Sequence, residues 1–92
     1  MKMLKTVSII ISGKVQGVFF RQSTRELAAA LNIKGQVKNR PDDTVEIIAT
    51  GTTEQIEQLI KWCWSGPPKA KVDTVAVKEL PLETFDKFTI AR

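Results

Sequence analysis

At 92 residues the chain has room for one domain over residues 1–92, and an apolar content of 42% is that of a globular protein, not a disordered one. With no His and one Cys it lacks the means for a Ser–His–Asp triad, a Cys–His nucleophile, a zinc site built from thiolates or imidazoles, or an internal disulfide. Fourteen Lys and Arg against ten Asp and Glu leave a net charge of +4, which favours anionic partners without separating a phosphate ester from RNA.

The N-terminal lysines Lys2 and Lys5 flank Met3 and are followed by the apolar residues 7–11 with no small-residue cleavage site. That run is too short to cross a bilayer, so neither export nor membrane anchoring is expected, and the lone Cys63 suits the reducing cytoplasm. Residues 4–12, rich in Val and Ile, predict a strand buried on both faces around residues 9–11, interrupted by Gly13-Lys14-Val15-Gln16-Gly17. Phe20, Thr24, Leu27, Ala28 and Leu31 recur at helical spacing and predict a first helix ended by Asn32. Residues 33–39 and 44–50 predict two strands joined by the turn Arg40-Pro41-Asp42-Asp43. Thr52 or Thr53 caps a second helix with the stripe Ile56, Leu59, Ile60 and Cys63, and Ser65-Gly66-Pro67-Pro68 stops it. Residues 71–79 alternate as a strand, with a short extra strand possible at 78–80. After a loop containing Pro81, Phe88 and Ile90 alternate again within residues 85–91. The order β-α-β-β-α-β predicts an α+β, ferredoxin-like split β-α-β sandwich: an antiparallel sheet with two helices on one face.

The segment that carries chemistry is Gly13-Lys14-Val15-Gln16-Gly17-Val18-Phe19-Phe20-Arg21, between a buried strand and a helix start. A helix start leaves backbone N–H groups without acceptors and adds partial positive charge. A glycine-containing loop curled against it can turn its own amides inward as an anion nest, and Arg21 can add a planar fork of donors. Gly13, Gly17 and Arg21 taken alone are better explained as an ordinary strand-to-helix turn. The segment lacks the Gly-Lys-Ser/Thr ending of a nucleotide-binding P-loop. Asn39, at the end of the strand after the first helix, offers a donor and an acceptor that suit it to hold a water, or to cap the turn that follows.

Gly13 to Arg21, then Gly35-Gln36-Val37-Lys38-Asn39 and Val45…Gly51, together resemble the two signature segments of the acylphosphatases. The pattern Gly66-Pro67-Pro68, Ala70, Val72, Phe88 and Ile90 is similar to that family's C-terminal half, so the resemblance spans nearly the whole chain. It implies hydrolysis of an acyl phosphate to a carboxylate and inorganic phosphate, with no metal, cofactor or covalent phosphoenzyme. By position it implies that Arg21 binds the phosphoryl group and Asn39 places the water. The backbone of Val15, Gln16, Gly17, Val18, Phe19 and Phe20 corresponds to the phosphate cradle. The expected partner is a small-molecule acyl phosphate, with no nucleic acid or membrane, and the expected state is a monomer. Two positions depart from the family pattern. Asp43 stands where Gly is usual in the hairpin turn, and Gln36 where an aromatic is common, an exchange expected to loosen packing near Asn39.

Other residues read as structural. Turn chemistry and an exposed strand face explain Asp42, Asp43 and Glu46 better than a carboxylate metal site does. Of Trp62 and Trp64, two apart on a helix, one is expected buried and the other exposed, and Cys63 is expected to be an inert core thiol. An RNA-binding module of the same fold places aromatics on its central strands for base stacking. Residues 4–12 and 44–50 contain none.

Overall fold

A computed structural model describes residues 3–91. Met1, Lys2 and Arg92 lie outside the described residues, and with them half of the lysine pair around Met3 and the two extremes of the 1–92 span. The elements run β1 (Leu4–Lys14), α1 (Phe20–Ala30), β2 (Lys34–Asn39), β3 (Val45–Thr52), α2 (Thr53–Cys63), β4 (Lys71–Leu80) and β5 (Phe88–Ile90). They form a five-stranded sheet in the order β4-β1-β3-β2-β5.

The ferredoxin-like arrangement stands, with both helices on one face, but the sheet is mixed and not wholly antiparallel. β1 pairs antiparallel with β3 and β4, and β2 with β3, whereas β5 lies parallel to β2. The reason is the route of residues 81–87, which carry the chain from one sheet edge to the other before it pairs. Antiparallel neighbours can be joined by a tight turn, while parallel ones need a longer crossover. The short strand considered at residues 78–80 is the end of β4.

The crossing segment is pinned by a closed set of hydrogen bonds. Thr6 Oγ1 accepts from the Glu83 amide at 2.9 Å, Thr50 Oγ1 donates to the Glu83 carbonyl at 2.6 Å, and the two hydroxyls meet at 2.6 Å. Both threonines are buried, so each hydroxyl needs these partners.

Around its isoleucines β1 is buried on one face only, the opposite face being closed at Thr6 alone by the crossing segment. Val7, Ile9 and Ile11 are enclosed by the helices together with Val37, Val45, Ile47 and Ala49, while Ser8 and Ile10 are half-buried on the opposite face. Alternation, not a doubly covered strand, explains the Ile-rich run. Nor does β1 stop before Gly13. A register shift between Ser12 and Gly13 lets pairing with β4 continue to Lys14, and a Cβ on Gly13 would stand 2.2 Å from the Lys71 carbonyl oxygen.

α1 buries Phe20, Thr24 and Ala28, and ends in Leu31 with Asn32 in the left-handed region at φ 60°. The Phe20 ring is fully enclosed and packs tilted on Trp62 with centroids 5.3 Å apart. Burial of such a ring is worth roughly 2–3 kcal/mol, which anchors the start of α1. Trp62 is half-buried and Trp64 is exposed at the helix end, as their spacing requires. Thr52, not Thr53, caps α2. Its hydroxyl accepts from the Gln55 amide while the Gln55 side chain accepts from the Thr52 amide, a reciprocal capping box.

In the β2–β3 turn Asp42 Oδ1 accepts from the Thr44 hydroxyl at 2.6 Å and from its amide at 3.2 Å. These bonds, with Arg40 nearby, hold the Asp42 carboxyl below its ordinary range. Glu46 pairs with Lys38 at 3.4 Å and Arg40 at 3.9 Å. Asp43 sits at φ 70°, where glycine is at ease and a side chain is strained. Gln36 pairs with Ile48 and Thr89 on the sheet face away from the helices, opposite in strand alternation to Asn39. Its exchange for an aromatic therefore concerns the far face of the sheet, not the packing around Asn39.

Two outcomes follow for stability. Asp43→Gly is expected to raise the unfolding free energy by roughly 0.5 kcal/mol, read as a higher urea midpoint, after the added chain entropy of glycine is set against the relieved strain. Cys63 is fully buried, and burial pushes its thiol up from 9.0 to about 12. In an unfolded chain the thiol ionises first, so its contribution to stability is whole below pH 9.0 and is lost as pH rises toward about 12. Native protein should leave Ellman's reagent unreacted at neutral pH. The fall in urea midpoint between pH ~7.5 and ~10.5 should be smaller in Cys63→Ala.

Candidate active site

α1 begins without a side-chain cap. Its N-cap residue is Phe19, at φ 66° and ψ 24°, and no side chain accepts from the first-turn amides. Amides at an uncapped helix start can meet an external acceptor.

That loop is held from several directions. Val15 and Val18 are buried in the core, and Gly17 turns the chain at φ 74°. The Gln16 side chain is committed elsewhere: both protons of its amide go to the β2–β3 turn, one to the Arg40 carbonyl and one to the Thr44 carbonyl, each at 2.9 Å. The same two carbonyls also accept from the Asp43 and Arg40 amides, so the turn is closed before Gln16 reaches it. One carboxamide thus locks the loop to the hairpin that begins immediately after Asn39.

Arg21 and Asn39 line one cleft together with Val15, Gly17, Phe19, Phe20, Gln22 and Ile90, and the cleft has a volume of about 710 Å³. β1 and β2 are separated by β3, and their loop ends meet at this end of the sheet. Asn39 Oδ1 is buried and has no hydrogen-bond partner among the described residues. A buried carbonyl oxygen without a donor is costly in a native protein.

Of the six cradle residues read from sequence, Val15, Gly17, Phe19 and Phe20 line this cleft. Gln16 and Val18 belong to the loop but turn their side chains away, to the hairpin and to the core. Sequence reasoning did not find the Gln16 tie or the place of Ile90 in the cleft wall. Gln16 lies 24 and 28 residues from its acceptors, which are backbone atoms and leave no mark in residue identity. Ile90 was legible as a strand residue, but its position follows from the parallel docking of β5 on β2.

The family model for acylphosphatase matches residues 7–90. The chain belongs to the acylphosphatase family. It is an enzyme of that family: a curated acylphosphatase of Pelotomaculum thermopropionicum is 50% identical over 70 residues, 76% of this chain and 76% of the relative. A solved acylphosphatase structure from Coxiella burnetii superposes with a TM-score of 0.93 at 40% identity, covering 96% of this chain and 93% of that one. The acylphosphatase structure from Bacillus subtilis gives 0.92 at 36% identity, over 98% and 100% of the two chains.

In an acylphosphatase whose loop is tied to the hairpin by one side chain, removal of that side chain should act on the site more than on the fold. Gln16→Ala is expected to cost about 1 kcal/mol of stability, because both carbonyls keep a partner, while lowering kcat/KM for acyl phosphate hydrolysis roughly tenfold. Gln16→Glu should be worse than Ala, since it sets a carboxylate against two carbonyl oxygens. Urea unfolding and steady-state hydrolysis measured on both variants check this order.

Proposed function

We propose that the cleft hydrolyses acyl phosphates at phosphorus, with the phosphoryl group seated on the amides of residues 15–20 and on Arg21, and with Asn39 positioning the attacking water. The observation that carries this reading is the unpartnered Asn39 Oδ1, in the same cleft as Arg21 and the uncapped start of α1. Donors for an anion and an acceptor for a water stand together there.

Acyl phosphates are activated, since the carboxylate leaves with little need of protonation. What remains is to aim water in line with phosphorus and to offset charge on the equatorial oxygens. Backbone amides and the Arg21 guanidinium are pre-aimed donors for those oxygens and need no reorganisation as the bond breaks. Asn39 Oδ1 accepts a hydrogen bond from the water and so turns a lone pair of the water oxygen toward phosphorus. A neutral carboxamide is too weak a base to take that proton, so the proton passes to a phosphoryl oxygen of the substrate. The P–O bond to the acyl group breaks as the water oxygen bonds to phosphorus. A dianionic substrate and water thus become a carboxylate and monoanionic phosphate, with charge conserved and no covalent enzyme intermediate.

The same reading takes residues 1–92 as one domain, because every described strand joins one sheet and both helices pack on it. It takes the enzyme as a monomer acting on a small molecule. The buried thiol of Cys63 suits the reducing cytoplasm, and among the described residues no helix is long and apolar enough to cross a membrane. Nucleic-acid binding is disfavoured by β1 and β3, which present no aromatic for a base to stack on.

The test is hydrolysis of benzoyl phosphate in the presence of EDTA, with inorganic phosphate as competitor. Arg21→Ala should abolish measurable turnover and most phosphate affinity. Asn39→Ala should lower kcat by a factor on the order of 10²–10³ and leave phosphate competition much closer to the parent. An Asn39→Ala enzyme that keeps its kcat would remove Asn39 from the mechanism.

A further inference from the structure

Gly66 stands in the turn that follows α2, at φ 65°. The angle alone does not call for glycine, because Asn32 at φ 60° and Asp43 at φ 70° hold similar backbone with side chains. Space does. A Cβ on Gly66 would stand 2.8 Å from Cε2 and 3.4 Å from Cδ2 of the Phe20 ring. Carbon atoms in contact keep about 3.5–4.0 Å, so the turn lies directly against the ring that opens α1.

Neither partner is free to withdraw. The Trp62 carbonyl holds the turn, accepting from the Ser65 amide at 3.0 Å and from the Gly66 amide at 2.8 Å. Pro67 is buried, and its carbonyl accepts from the Ala70 amide at 2.9 Å. The Phe20 ring is fully enclosed and also rests on Trp62. A close-packed ring passes a push on to its own backbone. That backbone is the first residue of α1, next to Arg21, and its carbonyl accepts from the buried Thr24 hydroxyl at 2.8 Å. The first turn of the helix, with Arg21 on it, therefore moves with Phe20.

We propose that Gly66 is a positioning residue for the hydrolytic site. By carrying no side chain it seats the Phe20 ring, and through that ring it sets where Arg21 and the first amides of α1 face the cleft. The role rests on the hydrolytic reading of the cleft given above. Gly66 does not line the cleft, whereas Phe20 and Arg21 both do, so it acts only through the ring. A displacement of about 1 Å at a reacting group can cost on the order of 10²-fold in rate, and a Cβ at this place asks for a shift approaching that size.

The experiment measures kcat and KM for benzoyl phosphate, and Ki for inorganic phosphate, well below the unfolding temperature. It uses the parent, Gly66→Asn, Phe20→Leu and the double variant. Asn accepts the left-handed backbone, so Gly66→Asn sets a Cβ against the ring with little added strain in the turn. Leu has no atom at the place of Cε2, so Phe20→Leu removes the obstacle. Gly66→Asn is expected to raise the phosphate Ki and to lower kcat/KM, each roughly ten-fold. In the Phe20→Leu background the same substitution should change both by less than about two-fold. A purely structural Gly66 would lower Tm and leave both constants of the folded enzyme at parent values, which overturns the proposal. Equal losses in the two backgrounds overturn it as well, since the effect then bypasses the ring. Phe20→Leu alone loses the seated ring and should weaken phosphate binding about three-fold or more. Parent-like phosphate affinity in that variant overturns the role even if Gly66→Asn does not fold. Parent enzyme that hydrolyses no benzoyl phosphate removes the hydrolytic reading and the positioning role with it.

Discussion

The parallel direction of β1 and β2, imposed by the helix that joins them, is the constraint on which the site depends. Because β3 is inserted between the two, their ends lie about two strand spacings apart, roughly 10 Å. That gap is too wide for the loop after β1 and the end of β2 to pair as backbone, and it is of the size that admits a small molecule. The start of α1 is delivered to one side of it and Asn39 to the other. A sheet with β1 and β2 as neighbours would close the gap with ladder hydrogen bonds.

A gap between two strand ends is useful only if its walls keep their separation. Three kinds of contact do this. Val15, Val18 and Phe20 fasten the loop to the core by burial, and Phe20 adds its tilted contact with Trp62. The Gln16 carboxamide ties the loop to the β2–β3 turn across the open side. On the inner strands β1 and β3, the Thr6–Thr50–Glu83 ring of hydrogen bonds directs residues 81–87 so that β5 docks beside β2 and brings Ile90 to the cleft. Left-handed residues gather in the same region: Gly17 and Phe19 in the loop, and Asp43 in the turn to which Gln16 is bonded. Strain of this kind persists where surrounding packing over-determines the backbone, and here the packing is dense on the core side and open toward the cleft.

Most elements were readable because the local signals agreed. Helical spacing from Phe20 to Leu31, alternation through Val45, Ile47 and Ala49, and the stripe Ile56, Leu59, Ile60 and Cys63 each name an element without help from the rest of the fold. The Ile-rich run of β1 misled on burial, since three consecutive isoleucines hide which of them faces the helices. Gly13 misled on length. A glycine in a strand can mark an end or a close approach, and here β4 passes too near for any side chain while the pairing goes on. Arg21 and Asn39 were found through their motif segments, and the fold brings both to one cleft.

The sequence by itself determined the element order, the apolar faces of the two helices, the turn residues and the family, because these rest on interactions among residues a few positions apart or on motifs carried whole in short segments. Tertiary structure alone decided the parallel docking of β5, the free oxygen of Asn39, the Gln16 lock and the exposure of Phe19 at the cleft. Each of these depends on backbone atoms and surfaces contributed by segments distant in the chain. Residue identity does not record where such partners will be, since a backbone carbonyl looks the same at every position until the fold has placed it.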